Sequence, residues 1–307
     1  MAIKLQKNVE KIKGKYSTSE IVVYLLIPVV VVAAIVTAIL LLTGKNDEIK
    51  PEPVAPPKET VYFEYGAHTL AAFPDIETSP YNTAFFNDED GRLTYNEKGV
   101  KSYFGIDVSG HQETIDWTAV KNAGVDFAFI RIGNRGATEG ALYPDSYFED
   151  NVKGAYDAGI NVGVYFFSQA ITVEEAKEEA NMVLKLLKPF KDKISYPVVF
   201  DWEHHEPAYR TENLSSEILT SCCVTFCDMI KDAGYTPMVY FNLELAYMEY
   251  DLSKISQYDF WLAQYDSIPS FYYDYDIVQY TRYGTIDGIN YDVDLNLSFT
   301  DYSAKKK

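Results

Sequence analysis

The sequence predicts an α/β protein: an irregular single β/α (TIM-like) barrel, preceded by an N-terminal transmembrane helix and a proline-rich stalk. Three observations carry that prediction. Short apolar runs alternate with helical stretches from Tyr103 onward. Several of the helical stretches stop at a glycine. One uncharged run, Ile21 to Thr43, stands apart near the N-terminus.

That run has 23 residues, no charge and a single proline, Pro28. It is long enough to cross a bilayer as a helix. It exceeds the apolar core of a signal peptide, and no clear small-x-small cleavage site follows it, so it reads as an uncleaved signal anchor. Residues 1–20 carry five lysines and two glutamates. The positive-inside rule puts them in the cytoplasm and everything after about Gly44 outside. The expected location is the cell membrane, single-pass, with the lipid bilayer as a partner through residues 21–43. Residues 44–60, GKNDEIKPEPVAPPKET, hold four prolines among many charges. As an extended stalk they would reach roughly 50 Å.

Residues 61–102 contain aromatics but little period. Asp90-Gly91 before the alternating Leu93 and Tyr95 predicts a small hairpin. The region reads as an N-terminal extension packed on the main domain, with a short separate module as the alternative.

The barrel is assigned to residues 103–302, followed by a basic tail, 303–307. Its eight apolar runs are 103–108, 127–132, 161–167, 197–203, 237–242, 259–265, 276–281 and one near 291–296. Between them lie TAVKNAG, YFEDNVKGAYDAG, VEEAKEEANMVLKLLK and SSEILTSCCVTFCDMIKDAG. Gly124, Gly159 and Gly234 are helix stops. Near-continuous apolar strands alternating with helices predict a parallel sheet covered on both faces. The connections after the sixth and seventh runs are too short for full helices, which makes the barrel irregular.

The net charge is −18. Without its first twenty residues the chain keeps 22 basic against 43 acidic groups. That balance excludes a polyanion-binding surface, so nucleic acid is not an expected partner. The three cysteines, Cys222, Cys223 and Cys227, fall within six residues of one helical pattern. No long-range disulfide can form from them, and they read as small core residues.

Within YPVVFDWEHHE (196–206) an apolar strand runs straight into two carboxylates. In β/α barrels the reactive groups stand at the C-terminal ends of the strands. Asp107 ends the first run, Asp201 and Glu203 end the fourth, and Asp294 lies in the eighth. Side chains two apart on a strand share a face, so Asp201 and Glu203 would both face the mouth. Capping of helices is the ordinary use of any one such residue; four at one rim point to chemistry. A calcium or magnesium site is a competing use of clustered carboxylates, with His204, His205 and Glu206 close by. Adjacent histidines on a strand point apart, however, and no metal is expected. Paired carboxylates suit glycoside hydrolysis: one protonated to donate to the leaving oxygen, one ionised to support the positive sugar carbon. Proximity pushes their pKa values apart, which divides the labour. Aromatics at the mouth (Tyr165, Trp202, Trp261 and Tyr280) would stack on sugar faces.

The segments FGIDVSGHQETIDW (104–117), NVGVYFFSQA (161–170), YPVVFDWE (196–203), WLAQY (261–265), IVQYT (277–281) and VDLN (293–296) resemble glycoside hydrolase family 25, the N-acetylmuramidase type of lysozyme. The resemblance spans about Tyr103 to Tyr302. It implies an irregular β/α barrel that cleaves the β-1,4 bond between N-acetylmuramic acid and N-acetylglucosamine in peptidoglycan, without a cofactor. By motif, Glu203 looks like the general acid and Asp201 its partner, with Asp107 and Asp294 as the acidic floor. Tyr165, Trp202, Trp261, Gln279 and Tyr280 form the expected substrate-binding set. One departure is His111, where many members carry a tyrosine before the glutamine. The resemblance favours substrate assistance by the 2-acetamido group, with inversion by a water on Asp201 or Asp294 as the alternative. Competing readings are an inactive wall-binding scaffold and a hydrolase of another amino-sugar polymer such as chitin. The latter would place further aspartates at the alternate positions before the glutamate, where Val199 and Pro197 stand.

Overall fold

The computed structural model describes residues 60–304, apart from 206, 208, 266 and 267. The expected membrane span and nearly all of the stalk lie outside the described residues. Among the described residues no helix is long and apolar enough to cross a membrane.

Two small antiparallel hairpins come first. They are β1 (Tyr62–Tyr65) with β2 (His68–Ala71), and β3 (Phe86–Glu89) with β4 (Arg92–Tyr95). The second turns at Asp90 and Gly91, whose φ angles are 54° and 80°. Positive φ at both central residues is what a two-residue type I′ turn needs.

The barrel begins with β5 (Tyr103–Val108), α1 (Trp117–Asn122) and β6 (Phe127–Arg135). The short β7 (Leu142–Pro144) folds back antiparallel on the end of β6. Then come α2 (Phe148–Asp157), β8 (Asn161–Ser168), α3 (Val173–Leu187), β9 (Ile194–Trp202) and α4 (Ser216–Asp232). After β10 (Pro237–Asn242) come a π-helical turn (Leu245–Glu249) and a short α5 (Leu252–Ile255), then β11 (Asp259–Ala263), β12 (Ile277–Gly284) and β13 (Val293–Ser298). Side chains start α1, α3 and α4: Asp116 accepts from Thr118 and Ala119 N–H, Thr172 from Glu175, and Ser215 from Ile218, satisfying donors that the helix cannot. Gly124, Gly159 and Gly234 take left-handed backbone just past α1, α2 and α4.

Eight strands close into a barrel because β5 pairs with β6 on one side and β13 on the other. The expectation of a parallel sheet fails at one strand: β13 is antiparallel to both β12 and β5. The link from Gly284 to Val293 is too short for the crossover that a parallel return requires. The start of β13 therefore lies at the rim where the other strands end, and Asp294 pairs in register with Asp107.

Two cores sit on the two faces of the barrel wall. Inside are Phe127, Phe129, Val199, Met238, Trp261 and neighbours. They pack so closely that a Cβ on Gly105 would meet the Phe127 ring at 2.2 Å. Outside, the larger core joins sheet to helices and includes the three cysteines, all buried and free. Burial pushes the Cys222 thiol up to about 12, which keeps it an inert apolar group. Among the described residues the N-terminal extension, not a helix, packs against the segment before β12 and the end of β13. Phe63 stacks on Tyr272 at 4.4 Å, Tyr81 stacks on Phe299 at 3.8 Å, and the Arg92 guanidinium lies 4.0 Å over the Phe104 ring.

Candidate active site

A cavity of about 300 Å³ opens at the strand-end rim. Asp107, Asp201, Glu203 and Asp294 all line it. Each arrives for a local reason. Asp201 follows Val199 on the inward face of β9, and Glu203 stands one residue past the strand. Asp107 is near the end of β5, and Asp294 is second in the reversed β13.

Asp107 is the best anchored. Its Oδ2 accepts from Gln279 Nε2 at 2.7 Å and from Asn296 Nδ2 at 2.8 Å. Burial still raises its pKa, with Asp294 and Glu203 adding repulsion against those two bonds. Burial also raises Asp201, helped by Glu203 and Asp107 and opposed by Arg131. Asp201 Oδ1 is buried without a hydrogen-bond partner among the described residues. Glu203 is raised to about 7, by burial and then by Asp294, with Arg282 pulling the other way. Asp294 is raised to about 6 by burial, against its own backbone N–H and Arg282. A buried carboxyl beside other carboxyls keeps its proton into the neutral range, which is what a general acid requires.

The floor is aromatic. Trp261 stacks on Phe129 with centroids 4.6 Å apart and donates Nε1–H to Asn296 Oδ1 at 2.8 Å. Asn296 is thus held at one end by Trp261 and presents its amide to Asp107 at the other. Gln279 accepts from the Tyr240 and Tyr265 hydroxyls at 2.8 and 2.6 Å. Tyr165 lines the cavity with Phe167 above the floor. Arg131 also lines it, with Nε 2.8 Å from Asp145 Oδ2. His111 is at the wall, beside Gln112, whose Nε2 donates to the Asp292 carbonyl at 3.0 Å and ties β5 to the start of β13.

Three of the five expected substrate-binding residues, Tyr165, Trp261 and Gln279, line the cavity. The polar atoms of Gln279 are already engaged, so it holds Asp107 and the tyrosines. Trp202 and Tyr280 do not line it, and both expectations are corrected. Trp202 lies between Asp201 and Glu203, so strand alternation turns it the other way; it is fully buried in the outer core. Tyr280 sits where the β12–β13 register slips, next to the inward Gln279. It lines a different, larger cavity of about 770 Å³ between β4 and the outer side of β12. That cavity holds none of the four converging carboxylates, so size does not locate the chemistry. His204 and His205 also lie off the cavity; His204 Nε2 meets Glu249 Oε1 at 2.5 Å.

Sequence reasoning missed Arg131, Tyr240, Tyr265, Asn296 and Arg282. Four of them carried a signal. Arg131 is a charge inside the apolar FAFIRI, in phase with Phe127 and Phe129. Tyr240 is in phase with Met238, and Asn296 with Asp294. Tyr265 closes the WLAQY motif. Arg282 follows the register slip, and strand alternation alone does not place it.

The closed barrel with a carboxylate-lined mouth is a fold that this chain shares with glycoside hydrolases. The family model described as Glycosyl hydrolases family 25 matches residues 106–289, so the chain belongs to that family. "Lysozyme M1" of Streptomyces globisporus is 28% identical over 62% of this chain and 66% of its own length. The "Autolytic lysozyme" of Clostridium acetobutylicum is 29% identical over 62% of this chain and 54% of its own length. The match thus spans between about half and two thirds of these relatives. The crystal structure of the bacterial lysozyme from Streptomyces coelicolor shares the fold, with a TM-score of 0.54 and 24% identity over 67% of this chain and 95% of that one.

Proposed function

We propose that the chain is a glycoside hydrolase, a peptidoglycan muramidase that cleaves the β-1,4 bond between N-acetylmuramic acid and N-acetylglucosamine. The observation that carries this reading is one pair at the rim. Glu203 keeps its proton up to about 7, and beside it Asp201 has an oxygen short of a donor. Its kinship with two proteins named as lysozymes supports the same reading.

The pair fits substrate assistance. Glu203 gives its proton to the glycosidic oxygen as the C1–O bond breaks. The carbonyl oxygen of the 2-acetamido group closes on C1 as the leaving group departs. Asp201, in its ionised form, accepts the acetamido N–H, balancing the charge that cyclisation places on the amide and gaining the partner its Oδ1 lacks. Glu203, now ionised, takes a proton from the water that reopens the ring. Asp107 and Asp294 add negative potential under the developing positive charge. No step calls for a metal or cofactor.

We also assign residues 21–43 to a single membrane span, with the N-terminus cytoplasmic and the barrel outside. A stalk reaching roughly 50 Å then confines the enzyme to membrane-proximal wall. The test is a digest of purified peptidoglycan by the full-length chain, wild type beside Glu203→Gln. New reducing ends on N-acetylmuramic acid, absent with the variant, are expected. Binding without fragments from either protein would sink the catalytic reading in favour of a wall-binding scaffold.

A further inference from the structure

Glu203 lies beyond the strand that delivers it. The pairing of β9 with β8 ends at Trp202, opposite Ser168, and its pairing with β10 ends at Asp201. Strand ladders therefore do not fix the Glu203 main chain. Gln169 does. It is the first residue past β8, and it is fully buried. Its Nε2 donates to the Glu203 carbonyl at 2.9 Å and to the Ser168 carbonyl at 2.9 Å. Both partners are acceptors only, so the NH₂ end of the amide must face them. One side chain thus clamps two strand ends just past the point where their own pairing stops.

Behind Gln169 runs a buried polar chain. Ser168 Oγ donates to Glu179 Oε2 at 2.7 Å, and Glu179 Oε1 accepts from Arg135 Nε at 2.7 Å. Arg135 also donates to the Gly140 carbonyl at 2.6 Å and the Glu175 carbonyl at 2.8 Å. Ser168 and Glu179 are fully buried, and Arg135 is 3% exposed. None of the four residues lines the catalytic cavity. An apolar filling would be at least as stable as a buried ion pair in such a place. What the chain supplies is a fixed position for the end of β8, and through Gln169 for Glu203.

We infer that Gln169 is a positioning residue for Glu203, itself locked by Ser168, Glu179 and Arg135. This rests on the reading of Glu203 as the general acid. A proton donor must stand at hydrogen-bond distance from the glycosidic oxygen, and a misplacement of about 1 Å costs on the order of 100-fold in rate. The clamp acts on the backbone of Glu203 and leaves the sugar-binding walls alone, so it governs turnover more than affinity.

The experiment is steady-state digestion of peptidoglycan by the full-length chain, between pH 5 and pH 9, with Gln169→Leu, Gln169→Glu and Glu203→Gln. Gln169→Leu is expected to lower kcat on the order of 10- to 100-fold with KM within about twofold. Gln169→Glu distinguishes positioning from packing. A protonated carboxyl keeps one donor for the Glu203 carbonyl, whereas a carboxylate faces it with none. Its kcat should therefore approach wild type at the acid end and fall away as the introduced carboxyl ionises. A deficit that is the same at every pH, or a Gln169→Leu effect carried by KM, would overturn the inference. The Gln169→Glu profile also decides the matter if Gln169→Leu does not fold. Full activity in Glu203→Gln would remove the acid assignment itself, and the inference with it.

Discussion

Replacing Glu203 with glutamine should stabilise the protein, and only where the glutamate is charged. Glu203 keeps its proton up to about 7 in the fold, against 4.5 for an ordinary glutamate. A pKa raised by folding means that the folded state resists the charge. Below about 4.5 the carboxyl is neutral in both states and carries no penalty. As pH rises through the folded value, stability is lost, because the unfolded chain ionises freely and the fold does not. Each pH unit of separation is worth about 1.4 kcal/mol, so a charged Glu203 costs the fold about 3 kcal/mol at pH 8. In a unit of this size about 1 kcal/mol moves Tm by ~2–4 °C. Thermal unfolding of wild type and Glu203→Gln, side by side at pH 4 and pH 8, isolates this one group. The variant should melt higher by ~6–12 °C at pH 8 and by less than ~2 °C at pH 4. An equal difference at both pH values, or a less stable variant at pH 8, would refute the claim that burial and Asp294 hold the proton on Glu203.

Four further outcomes are expected. The kcat/KM for peptidoglycan should fall about tenfold per pH unit above about 7 as Glu203 loses its proton. In Arg282→Met that limb should move to higher pH, because Arg282 is the cation that lowers the Glu203 pKa. Asn296→Leu takes a donor from Asp107 and an acceptor from Trp261; activity should drop at least about tenfold, with ~1–3 kcal/mol lost in urea unfolding. Trp202→Phe should leave KM within about twofold while costing ~1–3 kcal/mol of stability, since the ring packs in the outer core and not in the cleft.

The eight barrel strands were legible because each is an apolar run ended by a polar residue or a turn, and a strand covered on both faces needs that pattern. The convergence of carboxylates on one rim was legible for the same reason: Asp107, Asp201 and Glu203 are charges at the ends of such runs. Alternation that puts Asp201 and Glu203 on one face also requires Trp202 to leave it, whatever its aromatic type. Tyr280 escaped because the slip in β12 breaks alternation locally, and a register shift leaves no mark in composition. The direction of β13 is written in the shortness of the link before it, because eight residues cannot make a parallel crossover. The Gln169 clamp was not legible: its partners are backbone carbonyls of residues 168 and 203, which come together only through the pairing of β8 with β9.

The family match begins at residue 106, inside β5. That edge is not an edge in space. Phe63, Tyr81 and Tyr95 sit against Tyr272, Phe299 and their neighbours, where other sides of the barrel have helices. A catalytic module cut out at the family's own border would lose part of its first stave and bare a sheet of aromatic rings to water. Sticky, poorly soluble protein is the expected product. For grafting this enzyme onto anchors or targeting modules, the transferable piece therefore starts near residue 60.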